Sequence, residues 1–171
     1  MIQHKDLFFS QLRPTSKVPT KRLEDGGYDV YADFEEEMIT IPPHSVVKIP
    51  TGIASAFHES KVIILKERGT TGTKNMTQKA GVIDSGFRGE WFVPVGNDNP
   101  ATVVISKLDE EATVKRFAKS ETPIIYFPYE KAIAQALVIE VPRMIVQVVP
   151  PEHLQLFVSE RTMGELGSSG K

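Results

Sequence analysis

Most prolines in this sequence border short apolar runs, and their positions constrain the fold more than any other feature. The chain has 171 residues and twelve prolines, and most of these prolines lie at the ends of short runs rich in apolar and β-branched residues. Because proline lacks a backbone N–H, it is tolerated at the border of a strand better than inside one. The pattern predicts short strands joined by turns, and therefore a β sandwich or barrel. The predicted strands span residues 7–12, 45–49, 61–65, 91–95, 102–105, 124–127, 133–141 and 144–149.

Two segments depart from the strand pattern, and a third differs from the rest of the chain in composition. Residues 109–119 carry acids in the first turn and bases in the last, which favours a short helix, and residues 151–157 are consistent with a helical turn. The length fits one domain, and we predict an all-β core over residues 1–158. Residues 159–171 are rich in Gly and Ser and poor in apolar side chains, so we expect a flexible C-terminal arm that could close over an anion as a lid.

Composition excludes several classes of function. Apolar residues make up 40% of the chain and charged residues 25%, as in ordinary globular proteins. A net charge of -2 gives no global basic field, so we expect no nucleic-acid or membrane partner. The absence of cysteine excludes disulfides, thiolate metal sites and a thiol nucleophile. No run of 18 apolar residues occurs, and we expect a cytoplasmic protein. The four scattered histidines lack ligand spacing, so zinc is not expected.

Polar residues collect in turns beside the apolar runs. In residues 26–32, two glycines precede Asp29 at the start of a strand, which alone is typical of a capped turn. Residues 67–74 combine Arg68, three threonines and two glycines. Arginine pairs with phosphate oxygens through two N–H groups, and hydroxyls can satisfy the remaining lone pairs, so this loop suits phosphate binding. It does not match the Walker pattern of a P-loop.

Residues 81–90 read Gly-Val-Ile-Asp-Ser-Gly-Phe-Arg-Gly-Glu and closely resemble the third motif of the homotrimeric dUTPases. Residues 27–32, 68–70, 130–135 and 161–170 are similar to the first, second, fourth and fifth motifs, and all five occur in the family's order. The resemblance implies a distorted jelly roll (a β-clip barrel) with one short helix and a flexible arm. It also implies Mg²⁺-dependent hydrolysis of dUTP to dUMP and pyrophosphate, which limits uracil in DNA and supplies dUMP. In the family, each of the trimer's three sites is shared between subunits.

Carried over by position, the resemblance gives each matching residue a role. Asp84 would be the general base that activates water for attack on the α-phosphorus, and Phe87 would lie against the deoxyribose and exclude a 2′-hydroxyl. Asp29 would hold Mg²⁺ through water. The uracil would be read at Gln78, Gly81, Val82 and Ile83. The phosphates would be held by Arg68, Gly69, Thr70, Gln135, Arg161, Ser168 and Ser169, with Leu166 as the lid over the base.

Several positions depart from the family's pattern. Phe87 stands where the family usually has Tyr, which preserves the ring. Gly69 replaces a serine, and Ala132 replaces an arginine of the fourth motif. In the arm, Leu166 replaces an aromatic residue and Glu165 a glycine, so the lid would contact the base without stacking.

Two alternatives remain open. A dCTP deaminase of the same fold would carry Pro and a catalytic Glu where this chain has Ser85 and Pro94, and Glu90 lies four residues too early to replace that Glu. The second alternative is a non-enzymatic protein-binding module that retains the fold. Residues 102–128 lie outside all five motifs and are charged and partly helical, so they could bind a protein partner or be decoration. Trp91 is expected in the core or in a subunit interface.

Overall fold

The computed structural model describes residues 2–159 of the chain. Within that range the chain forms mostly short strands, with three helices of four to seven residues, and none of these helices is long or apolar enough to cross a membrane. The elements are β1 (Leu7–Gln11), β2 (Tyr28–Val30), β3 (Met38–Ile41), β4 (Val46–Pro50), β5 (Ile53–Phe57), β6 (Lys61–Lys66), α1 (Gly69–Gly72), β7 (Met76–Gln78), β8 (Val82–Asp84), β9 (Phe92–Asn97), β10 (Thr102–Ser106), α2 (Glu110–Arg116), β11 (Ile124–Pro128), β12 (Ala134–Glu140) and α3 (Pro151–Leu154).

Four small sheets organise the described strands, and their inner faces enclose one apolar core. Their orders are β1-β5, β11-β10-β3, β2-β12-β6-β8 and β4-β9-β7. Alternate side chains of a strand point to opposite faces, so each short strand contributes one or two residues to the core. Trp91 and Phe127 are the largest side chains there, with Ile41, Ile49 and Ile63 packed in the same cluster. The predicted all-β class is confirmed, and Trp91 lies in the core.

Seven of the eight predicted strands form, with ends displaced by one or two residues at most. Pro94 is the exception to the border rule, because it lies inside β9 and not at its end. Its carbonyl accepts the Lys79 N–H at 3.1 Å, and the N and O of one strand residue point to the same side. The missing N–H of Pro94 therefore faces Lys79, just beyond the end of β7, so at most one bond at the end of the ladder is lost.

The prediction of an eighth strand at residues 144–149 is wrong, because the structure has no strand there. Ile145 is 89% exposed and Val148 97% exposed. A β-branched run becomes a strand only when another strand pairs with it, and the described chain offers it none. The last buried residue is Ala136, in β12. The predicted division of the chain at residue 158 stays a prediction, since residues 160–171 lie outside the described range.

The predicted helix in residues 109–119 is confirmed as α2. The Asp109 carboxylate caps it by accepting the Ala112 N–H at 2.7 Å, Glu110 and Glu111 occupy its first turn, and bases its last. α2 connects β10 and β11, which pair in parallel. Parallel neighbours require a crossover connection, so residues 102–128 form a compact strand–helix–strand unit. The predicted turn at residues 151–157 is present as α3.

Candidate active site

The hairpin predicted to carry the chemistry projects from an edge of the sheet. β8 is the last described strand in the order β2-β12-β6-β8 and pairs antiparallel with β6, with Ile83 opposite Ile63. Ile83 is buried, whereas its neighbours Val82 and Asp84 are exposed. Beyond β8 the chain turns, and the Phe87 N–H donates to the Asp84 carbonyl at 3.0 Å. The hairpin thus presents the Asp84 carboxyl group to solvent.

The free edge of β8 offers backbone groups to a ligand. The Gly81 carbonyl accepts the Leu65 N–H at 2.7 Å, so Gly81 faces β6. By the strand's alternation Ile83 faces β6 as well, while the N–H and C=O of Val82 point away from it. Of the three residues predicted to read uracil through the backbone, Val82 therefore has both groups free on the edge. A Cβ at Gly81 would lie 2.7 Å from the Leu65 carbonyl, which explains the glycine.

The ring of Phe87 lies over the turn. It is 44% exposed, and a Cβ at Gly89 would lie 2.7 Å from its Cζ, so Gly89 leaves room for the ring. Arg88 bonds the carbonyls of Ser85 at 2.5 Å and Phe87 at 3.0 Å. The turn is therefore held in part by the Arg88 side chain, and the Phe87 side chain stays partly accessible.

The side chain and the backbone N–H of Gln78 both make hydrogen bonds within the protein. Its side-chain amide donates to the Ala80 carbonyl, and its backbone N–H donates to the Glu67 carboxylate at 2.6 Å. The Gln78 N–H, together with Lys66 3.0 Å away, lowers the pKa of Glu67 to about 2. Gln78 thus ties β7 to the end of β6, and its side chain points back to the segment that enters the hairpin.

The predicted phosphate ligands collect in a different place, around a polar pocket of about 660 Å³. Arg68 follows β6 directly, and its Nε lies 2.7 Å from Oδ1 of Asp29. The hydroxyl of Thr71 accepts the Arg68 N–H at 2.9 Å and donates to the Arg68 carbonyl at 3.0 Å, which fixes the loop. Gly69 and Thr70 are exposed and line the same pocket.

Gln135 joins the two walls of this pocket. It lies in β12, opposite Asp29 on one side and Lys66 on the other. Its Nε2 donates to the Glu67 carbonyl at 2.7 Å, and a Cβ at Gly27 would lie 3.1 Å from its Oε1. The Gly-Gly turn therefore allows the strand carrying Asp29 to approach the Gln135 side chain.

Four pocket residues were missed by sequence reasoning: Thr20, Lys21, Arg22 and Asp25. Arg22 pairs with the Asp25 carboxylate at 2.9 Å, and the Lys21 ammonium donates to the Asp25 carbonyl at 2.8 Å. Two adjacent bases four residues before a Gly-Gly turn were the available signal, and the turn brings them beside Arg68. They add positive charge to the wall of the pocket.

One chain does not bring the hairpin and the polar pocket together. β8 and β2 are three strands apart in one sheet. Asp84 lies opposite Val62, four residues along β6 from Lys66, which is the partner of Gln135. With strands spaced about 4.8 Å apart and residues about 3.3 Å apart, Asp84 and Asp29 are roughly 20 Å from each other. The predicted arm residues Arg161, Leu166, Ser168 and Ser169 lie outside the described residues.

The donor groups suit a hydrated ion. Among residues 2–159, no group of three histidine, aspartate or glutamate side chains could enclose a metal. Asp29 is a single carboxylate, 33% exposed, at the polar pocket. Mg²⁺ retains water and favours substrate phosphates over an all-protein cage, so this arrangement fits an ion bound through water.

The position of Glu90 bears on the deaminase alternative. Its carboxylate accepts from Arg13 at 2.7 Å and from the Gly52 N–H at 2.7 Å. These donors lower the pKa of Glu90 below its ordinary value. An ionised glutamate whose oxygens are held by two donors is poorly suited to exchange protons with a substrate.

Fold and site together define a small all-β protein with a polar, partly basic pocket beside one strand and an aspartate-bearing hairpin on a sheet edge. The family model for dUTPase matches residues 14–114, more than half of the chain, and the chain belongs to the dUTPase family. The family that the motifs suggested is thereby confirmed.

Individual relatives agree with this assignment. The deoxyuridine 5'-triphosphate nucleotidohydrolase of Leptospira interrogans is 28% identical over 103 residues, covering 58% of this chain and 70% of the relative. The corresponding protein of Gloeobacter violaceus is 29% identical over 149 residues, covering 85% and 83%. The dUTPase of Staphylococcus bacteriophage 80alpha, solved with dUpNHpp, superposes with a TM-score of 0.69 at 21% identity over 98% of this chain and 99% of that one. The native EIAV dUTPase superposes with a TM-score of 0.62 at 17% identity, covering 85% and 98%. These structures share the fold, as the predicted dUTPase-type jelly roll requires.

Proposed function

We propose that this protein hydrolyses dUTP to dUMP and pyrophosphate by attack of water on the α-phosphorus. One observation carries the proposal: a solvent-facing aspartate, Asp84, ends an edge strand whose Val82 backbone is free to bond a base. Family membership and the activity named for its relatives support the same reaction. The polar pocket at Arg68 supplies the charge that a triphosphate needs.

The residues of the hairpin divide the tasks. Asp84 accepts a proton from the attacking water and orients it toward the α-phosphorus. The Val82 N–H and C=O form a donor–acceptor pair that matches the N3–H and carbonyl edge of uracil, and cytosine presents the reverse pattern. Phe87 covers the sugar face, where a 2′-hydroxyl would meet the ring. Gln78, Gly81 and Ile83 hold the strand that presents these groups.

The phosphates bind at the pocket. Arg68 contacts them through its guanidinium, and Gly69 and Thr70 add backbone and hydroxyl donors, while Gln135 supports the loop through Glu67. Mg²⁺, when bound, would supply positive charge to the phosphates, and Asp29 would hold it through water ligands. The phosphates would also be bound by three residues of the arm, Arg161, Ser168 and Ser169. Leu166 would lie over the base.

We infer that the working form is a homotrimer with shared sites. The roughly 20 Å between Asp84 and Asp29, estimated from the strand spacings of one sheet, is too long for both to act on one nucleotide from one chain. The exposed apolar residues Met144, Ile145 and Val146 provide surface that an assembly would bury. Closed symmetric assemblies place such a surface against the same surface or groove of another copy.

The decisive measurement is a product assay with dUTP and dCTP side by side. With Mg²⁺ we expect pyrophosphate from dUTP, and poor turnover of dCTP, dTTP and UTP. Ammonia released from dCTP would establish the deaminase instead. Absence of any nucleotide turnover by the assembled protein would favour the binding-module alternative.

A second test concerns Asp84 itself. Asp84→Asn keeps the size of the side chain and removes its capacity to accept a proton, so hydrolysis is expected to stop while a non-hydrolysable dUTP analogue still binds. Asp98→Asn, at an exposed aspartate outside the hairpin, is the matched control. Loss of folding in Asp84→Asn would assign this residue a structural role.

A further inference from the structure

The far limb of the hairpin is held by an ion cluster of Arg13, Asp33 and Glu90, and no site role follows for these three residues from the five motifs. The guanidinium of Arg13 lies between two carboxylates. Its Nη2 is 2.7 Å from Oε1 of Glu90 and its Nη1 3.3 Å from Oε2, while its Nε is 2.8 Å from Oδ2 of Asp33. Arg13 also donates to the Asp33 carbonyl at 3.0 Å. Every nitrogen of this guanidinium is therefore used.

The cluster is partly buried, and the Arg13 side chain at its centre is 32% exposed. The side chain of Asp33 is 2% exposed and that of Glu90 16% exposed. The Ser16 hydroxyl donates to Asp33 at 2.7 Å, and the Gly52 N–H donates to Glu90 at 2.7 Å. Gly52 has a φ of 65°, and a Cβ there would lie 1.9 Å from the Ser16 hydroxyl. The backbone at Gly52 is thus shaped to bring its N–H to Glu90.

Glu90 is the point where the hairpin returns to the body of the protein. The next residue, Trp91, donates its N–H to the Ile53 carbonyl at 2.7 Å and its indole N–H to the Ser55 hydroxyl at 3.2 Å. On the other limb, Asp84 is held by the pairing of β8 with β6. Between these two anchors, the turn at residues 85–89 bonds mainly to itself.

We propose that the Arg13–Glu90 pair positions the hairpin, so that Asp84 and Phe87 meet the nucleotide in the productive orientation. This inference rests on the proposed function and deepens it. Glu90 lies three residues after Phe87, so a shift of the Glu90 carboxylate would displace the Phe87 ring. It would also displace the turn, which is closed by the bond from the Phe87 N–H to the Asp84 carbonyl. Arg13 and Glu90 are positioning residues, because they act through the hairpin and touch no substrate. The lowered pKa of Glu90 is consistent with a permanent ion pair.

The test measures the geometry and the reaction separately. The variants are Glu90→Gln, Arg13→Lys and the double variant, and the control is Thr113→Val, which removes a buried hydroxyl bonded to Ser106 at 2.8 Å in a distant part of the fold. Hydrogen–deuterium exchange of the peptide covering residues 79–90 reports hairpin order without any substrate. We expect faster exchange there in Glu90→Gln and in Arg13→Lys, and no change in Thr113→Val.

With dUTP, we expect kcat to fall about ten-fold or more in Glu90→Gln, because small misplacements of catalytic groups are costly. KM is expected to change by less than about three-fold, since the phosphate pocket is untouched. The double variant is expected to lose no more than the worse single variant, as for two residues of one interaction.

The outcomes separate the two proposals. Unchanged exchange of residues 79–90 in a folded Glu90→Gln or Arg13→Lys variant overturns the positioning role, whatever the activity. An equal loss of kcat in Thr113→Val overturns it as well, by showing a general stability effect. If Glu90→Gln does not fold, Arg13→Lys alone tests the positioning role, because it keeps the positive charge and loses the paired N–H donors of the guanidinium. If the wild-type protein does not hydrolyse dUTP, the proposed function is rejected. Faster exchange in Glu90→Gln and Arg13→Lys would still support the role of the ion pair in ordering the hairpin.

Discussion

Arg68 and Asp29 form a two-pronged ion pair in the polar pocket, with Nε 2.7 Å from Oδ1 and Nη2 3.2 Å from Oδ2. The pair joins the loop after β6 to β2, two strands away in the sheet. It also means that the cation expected to bind phosphate is already oriented by a carboxylate. A triphosphate with its cation can then bind without the cost of ordering a free arginine side chain.

For binding of the triphosphate, the paired N–H donors of the Arg68 guanidinium are expected to matter more than its charge. Arg68→Lys keeps the charge and loses the paired N–H donors, which costs about 1.5–3 kcal/mol for bonds to charged groups. The KM for dUTP is expected to rise about ten- to hundred-fold, measured by initial rates at saturating Mg²⁺. Arg116→Lys, at an exposed pair with Glu37 on α2, is the control. A KM within two-fold of wild type would contradict the role of Arg68.

Shared sites can be tested by mixing two inactive proteins. Asp84→Asn retains the pocket and Arg68→Ala retains the hairpin, so mixed assemblies of the proposed trimer would contain some sites with both halves intact. Random mixing in equal amounts is expected to restore about a quarter of the wild-type activity if each site uses two subunits. Native mass spectrometry would confirm that mixed assemblies have formed. If they form and activity stays at the level of the single variants, each site is built within one chain.

Discrimination against ribose is expected to depend on the ring of Phe87. In Phe87→Ala the space for a 2′-hydroxyl opens, so the ratio of kcat/KM for dUTP to that for UTP is expected to fall about ten-fold. Phe8→Ala, at a phenylalanine 54% exposed on β1, serves as the control. A ratio unchanged in Phe87→Ala would show that another group excludes the hydroxyl.

Glu67 is expected to make the fold sensitive to acid. The pKa of Glu67 is lowered from 4.5 to about 2 by the Gln78 N–H and by Lys66. A carboxyl group that ionises more readily in the folded state stabilises it above pH 4.5, and this contribution is lost as the pH falls toward 2. The contribution is at most about 3 kcal/mol.

Denaturant unfolding of wild type and Glu67→Gln at pH 7 and at pH 3 would measure this contribution. The difference in unfolding free energy between the two proteins is expected to be smaller at pH 3 than at pH 7. Because other acids titrate equally in both proteins, the difference isolates Glu67. A difference independent of pH would show that Glu67 contributes through packing alone.

Seven of the twelve described strands, the helix at Asp109 and the resemblance to the five motifs could be inferred from the sequence, because each depends on neighbouring residues. Proline at strand borders, acids and bases at the two ends of a helix, and a Gly-rich hairpin around Asp84 are local signals. Short strands such as β7 and β8 escaped detection, since three residues carry too little periodicity.

The tertiary structure decided what the local signals could not. Lys21 and Arg22 gave no motif, and only the fold brings them to Arg68. In the sequence, Glu90 was only the last residue of a hairpin motif. Its contact with Arg13 joins residues 77 positions apart in the chain. Residues 144–149 have the composition of a strand, yet pairing needs a partner that the described chain does not provide. The sequence by itself determined which residue types could do the chemistry. The order of strands in the sheet decided that Asp84 and Asp29 are held far apart, because hydrogen-bonded neighbours in a sheet are chosen by the whole fold and not by adjacency in the chain.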